Sequence, residues 1–84
     1  MQMIRVQTRF FGPLRDIVQR DELRLDLSSP CTGEEAFHAL VTKFPAMEKW
    51  RSSVRLAVNM EYESLDSELK DGDEISFIPP VSGG

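Results

Sequence analysis

The residues with the most distinctive chemistry are the last ones, for the sequence closes on Ile-Pro-Pro-Val-Ser-Gly-Gly. Pro79 and Pro80 fix φ and favour an extended chain of about 3.1 Å per residue, so residues 79–84 would reach roughly 18 Å from a folded body. Gly83 and Gly84 have no side chain and can thread a channel too narrow for any larger residue. The α-carboxylate of a terminal Gly84 is ionised at neutral pH, its ordinary pKa being about 3.3–3.7. A carboxylate is a poor electrophile. Joined to AMP it becomes a mixed anhydride, and without a β-carbon the Gly84 carbonyl lies open to a nucleophile. An idle, frayed end is the plainer alternative. What sets this Gly-Gly pair apart is its place behind Pro-Pro and the β-rich stretch "EISFI", itself introduced by "DGDEI".

Side-chain chemistry is scarce by comparison. The only histidine is His38 and the only cysteine Cys31, a spacing that does not bring them to one helical face. His38 follows Glu34 and Glu35 and reads as a solvated helix-surface residue. Cys31 precedes a helix start, where a small apolar residue packs on the first turn. No metal site is expected from them. Gly12, Gly33, Gly72, Gly83 and Gly84 form neither a dinucleotide fingerprint nor a phosphate-binding loop. The carboxylates cluster in a loop without apolar surroundings that would raise a pKa, which argues against paired acid–base catalysis. The expectation is therefore a chain that binds no cofactor, with any nucleotide handled by a partner.

The elements that must position the tail follow from periodicity. In "MIRVQTRFF", Ile4, Val6, Thr8 and Phe10 share one face of a strand. After Gly12 and Pro13, Leu14, Ile17 and Val18 suit a short helix opened by the proline. Leu23, Leu25 and Leu27 alternate with charges in a second strand, antiparallel to the first. Thr32 and Glu35 have the spacing of a capping box, and Ala36, Phe37, Leu40, Val41 and Phe44 mark the apolar stripe of the helix it opens, which Pro45 ends. Trp50 reads as a core-edge aromatic. "SVRLAVNMEY" reads as one strand with Val54, Leu56, Val58, Met60 and Tyr62 on one face. A polar connection, a turn at Asp71-Gly72 and the strand "EISFI" complete an α+β order, with first and last strands expected to be central and parallel.

At 84 residues, 40% apolar and 29% charged, the chain is sized for one ordinary globular domain. Neither a membrane-spanning run nor a secretion signal is apparent, and a lone cysteine points away from an oxidising compartment, so a cytoplasmic location is expected. The net charge of −4 is unevenly spread: residues 1–24 carry +2, residues 25–60 balance, and residues 61–74 hold seven acids against Lys70. Such a patch repels phosphate backbones, disfavouring nucleic acid, and complements a basic protein surface.

The segment "LKDGDEISFIPPVSGG", with "FFGPLRDI" near the start and "AVN" in the middle, resembles the ubiquitin-like, β-grasp sulfur carriers, and among them the molybdopterin synthase small-subunit family, essentially end to end. The resemblance implies a β-grasp domain over 1–78, with a mixed sheet packed on one main helix, and an extended tail over 79–84. It also implies a sulfur-donating subunit that is not an enzyme on its own. A partner adenylyltransferase related to ubiquitin activators uses ATP to adenylate Gly84, a sulfur donor enzyme converts the adenylate to a thiocarboxylate, and the tail enters the large subunit. There the sulfur passes into the dithiolene of molybdopterin, made from cyclic pyranopterin monophosphate.

Carried over by position, Gly84 is the acceptor, Gly83 the flexible penultimate residue, and Pro79, Pro80 and Val81 the inserted tail. Ser82 matches a small polar position and receives no chemical role. Phe11, Tyr62 and Ile78 fall where the family presents apolar side chains to partners. Strand parity agrees for Phe11 and Ile78, which oppose Phe10 and Phe77, whereas Tyr62 shares parity with Val58 and reads equally as core. Within the same chemistry, a carrier for thiamine or tRNA thiolation or a lysine-conjugated modifier remains open. Outside it stands a β-grasp interaction module with no terminal chemistry.

Overall fold

The computed structural model describes residues 2–80. Alternating apolar and charged residues make Gln2–Phe10 strand β1, with Ile4, Val6, Thr8 and Phe10 buried on one face. Gly12–Val18 is helix α1, with Pro13 in its first turn, Leu14 and Val18 buried, and Gln19 ending it in the left-handed region at φ 64°. Glu22–Ser29 is β2, antiparallel to β1 and aligned so that Leu25 meets Val6 and Leu27 meets Ile4.

Gly33–Lys43 is α2. The Thr32 hydroxyl accepts from the Glu35 N–H at 3.2 Å and the Glu35 carboxylate from the Thr32 N–H at 3.0 Å, so the capping box satisfies two donors that a helix start leaves free. A 3₁₀ turn at Pro45–Trp50 leads into β3 (Arg55–Val58), β4 (Glu61–Glu63) and β5 (Glu74–Ile78). The sheet order is β2-β1-β5-β3-β4, with β1 and β5 parallel and the other pairs antiparallel. The expected neighbouring, parallel first and last strands are found. Ala36, Phe37 and Leu40 of α2 are buried, and Phe37 meets Phe77 edge to face with ring centroids 5.1 Å apart. A mixed sheet closed over one main helix is the β-grasp arrangement.

Three features depart from the sequence reading. The expected strand over 53–62 is a hairpin: Asn59 and Met60 adopt φ of 50° and 73°, the positive values of a tight two-residue reversal. Met60 is consequently 91% exposed rather than in the core. The acidic connection is also less bland than expected, for Leu69 is buried and its N–H donates to the Cys31 carbonyl at 2.7 Å. Carbonyls of Ser67 and Leu65 accept from Gly33 and Glu34 at 3.2 and 2.9 Å, so this loop supplies partners for the first N–H groups of α2. Such an approach requires glycine at 33, because a Cβ there would lie 2.4 Å from Leu56 Cδ2 and 3.3 Å from the Leu65 carbonyl oxygen. The 3₁₀ turn was not foreseen either, and it places Met47 fully inside the core.

Candidate functional site

The tail is rooted in a strand held from both sides. Ile75 pairs with Thr8 and Val58, and Phe77 with Phe10 and Leu56. The strand's start is fixed by the Lys70–Asp73 turn, in which Gly72 takes φ 90° and the Asp73 N–H reaches the Lys70 carbonyl at 3.1 Å. Asp73 accepts from the Lys70 N–H at 2.8 Å and from Asn59 Nδ2 at 3.0 Å, while Asn59 Oδ1 accepts from the Glu74 N–H at 3.0 Å. One amide thus ties the β3–β4 turn to the first residue of β5. On the β1 side, the Arg5 N–H donates to Asp71 Oδ1 at 2.8 Å. At the far end Pro79, lacking an N–H, ends the ladder. Pro79 is half-buried, and its ring lies 3.6 Å from where a Cβ on Gly12 would stand. Gly12 itself sits at φ 55°, a conformation glycine adopts without strain.

Beside this root, the sheet face turned away from α2 carries the apolar side chains. Ala57 pairs with Tyr62 on one side and with Ser76 on the other, and Arg55 pairs with Ile78. Paired residues share a face, so Tyr62, Ser76, Ile78, Arg55 and Ala57 look outward together, with Arg9 joining through its pairing with Ser76. Tyr62 is 62% exposed and Phe11 46% exposed, and Ile78 is half-buried. The core reading of Tyr62 is corrected: after the reversal at Asn59-Met60, position 62 lies opposite 57, not in line with 58. The Arg55 guanidinium carbon stands 4.6 Å from the Tyr62 ring centroid. Arg9 pairs with Glu22 at 3.7 Å.

Of the expected tail residues, Pro79 and Pro80 lie at the end of the described chain, with Pro80 exposed. Val81, Ser82, Gly83 and Gly84 lie outside the described residues. Cys31 is buried, and burial pushes its thiol pKa up with Glu35 adding to the effect. His38 is exposed on α2. Arg55 and Asn59 escaped the sequence reading. The asparagine of "AVN", a residue that tolerates the left-handed region, was the signal for a turn, and recognising it moves Tyr62 to the outer face, where alternation with Val54 and Leu56 already puts Arg55. No helix among the described residues is long and apolar enough to cross a membrane.

The profile of the ThiS family matches residues 8–84. The chain belongs to the ThiS family. A curated relative, the molybdopterin synthase sulfur carrier subunit of Arabidopsis thaliana, is 35% identical over 81 residues, covering 96% of this chain and 84% of the relative. The small archaeal modifier protein 1 of Methanosarcina acetivorans superposes with a TM-score of 0.81 at 28% identity, over 100% of both chains. A chain in the protein–protein complex of subunits 1 and 2 of molybdopterin-converting factor from Helicobacter pylori superposes with a TM-score of 0.65 at 29% identity, covering 96% of this chain and 100% of that one. The family match runs through the Gly-Gly pair as well as the sheet that roots it.

Proposed function

We propose that this ThiS-family chain is the sulfur-carrier subunit of a molybdopterin synthase, with Gly84 as its terminal, working residue. The observation that carries this reading is the family match through Gly84, joined to a tail root held rigidly between β1 and β3. A Gly84 carboxylate oxygen attacks the α-phosphorus of ATP on a partner adenylyltransferase, and pyrophosphate leaves. Sulfide-level sulfur from a donor enzyme then attacks the acyl adenylate carbonyl, and AMP leaves, giving a thiocarboxylate. The loaded tail, residues 79–84, enters the large subunit, where its sulfur is transferred to the pterin to build the dithiolene.

In this reading the chain supplies no catalytic side chain and binds no cofactor of its own. Cys31, the one thiol, is buried. Phe11, Tyr62 and Ile78 form the apolar face that seats on the large subunit and aims the tail. The existence of a two-subunit relative from Helicobacter pylori supports a large-subunit partner.

The test is intact mass after incubation with the adenylyltransferase, ATP and a sulfur donor. Oxygen-to-sulfur exchange at Gly84 is expected, and its absence overturns the proposal. The likeness to an archaeal modifier protein favours one second reading, in which a lysine amine takes the activated carbonyl. That reading predicts isopeptide-linked products with ATP and the adenylyltransferase in place of a thiocarboxylate.

A further inference from the structure

On the open sheet face beside the tail root, the apolar side chains of Tyr62 and Ile78 lie among polar ones, and one cation there lacks a counter-ion among the described residues. Arg5 and Arg24 both approach Asp26, Arg9 approaches Glu22, Arg15 approaches Asp21, and Arg51 approaches Glu34 and Glu48. Arg55 has no carboxylate within ion-pair distance among the described residues. It is exposed, lies across from Ile78, and is held over the face of Tyr62. Stacking of a guanidinium on an aromatic ring restricts its rotamers while leaving its five N–H donors free. A prearranged, unpaired fork of donors is matched by a carboxylate, which it grips in two parallel hydrogen bonds.

We propose that Arg55 determines partner specificity, receiving an acidic side chain of the protein that covers Phe11, Tyr62 and Ile78. This rests on the carrier reading above, and it makes the occupant of the face a subunit whose apolar docking patch contains an aspartate or glutamate. Arg55 is level with Ile78, and a fully extended tail of six residues from there to Gly84 spans roughly 18 Å. In the proposed docking, a tail extended into the partner carries the reacting groups away from this cation, which leaves the partner's surface to meet it. Burying Arg55 without a counter-ion would cost heavily, so the same residue rejects a wholly apolar or basic patch.

The experiment measures affinity for the purified large subunit of molybdopterin synthase from the same organism, by calorimetry at several salt concentrations. Wild type, Arg55→Gln and Arg55→Glu are compared. Arg55→Gln is expected to weaken binding roughly tenfold and to flatten the salt dependence, and Arg55→Glu to weaken it roughly a hundredfold. Thermal midpoints of the free variants should match wild type, since the side chain is exposed; a purely structural role would move these and leave the salt slope alone. If wild type binds and Arg55→Gln binds equally with the same salt slope, Arg55 has no such role and the carrier reading stands. If wild type itself does not bind, the carrier reading and the inference fall together.

Discussion

At the scale of single residues, two buried polar atoms lack a hydrogen-bond partner among the described residues, the Thr8 hydroxyl and the Trp50 indole N–H. Thr8 is fully buried on β1, and its hydroxyl has no hydrogen-bond partner among the described residues. An unpartnered buried hydroxyl costs about 1–3 kcal/mol, so Thr8→Val, which keeps the shape and removes the hydroxyl, should stabilise the domain by about 1 kcal/mol. For a domain of this size that is a rise of roughly 4–8 °C in Tm, readable by calorimetry. An unchanged or lower midpoint would mean that the hydroxyl finds a partner after all. The sequence put Thr8 on the correct face by alternation alone, but alternation cannot say whether a core hydroxyl is satisfied, because the acceptor would come from elsewhere in the chain. The burial of Cys31 was legible because it was expected from the residue's place just before a helix start.

Among the elements, the Asn59 latch decides how firmly β5 is seated. Its amide joins the β3–β4 turn to Asp73 and Glu74, and its backbone sits at φ 50°. Asn59→Ala removes both hydrogen bonds and places a residue ill-suited to that φ in the turn, a loss of about 1–2 kcal/mol. Asn59→Gly removes the same bonds but tolerates the backbone, and should cost less. Denaturant unfolding of the two variants separates the contributions; equal losses would show that the conformational part is negligible. Helices and strands built on local signals, such as the Thr32–Glu35 box and the leucines of β2, were readable in advance. The 53–62 segment was not, because its reversal is stabilised by Asp73 and Glu74, more than a dozen residues away. Treating it as continuous carried the parity of Val58 through to Tyr62 and hid the outer face.

For the whole molecule, the proposed chemistry lies apart from the described core. Among the described residues the buried cluster runs from Ile4 to Phe77, and β5 ends at Ile78. The parallel meeting of first and last strands was legible because a chain of this element order closes a single core most simply that way. The sequence could suggest a role for the tail because the proposed chemistry depends on backbone groups and small residues rather than on a tertiary arrangement of side chains. It follows that removing Gly84 should abolish adenylation and sulfur loading in the intact-mass assay while leaving Tm where it is. Loading that persists would relocate the reactive carboxyl. A large fall in Tm would mean that Gly84 is packed into the fold, which would conflict with the proposed entry of the tail into another protein.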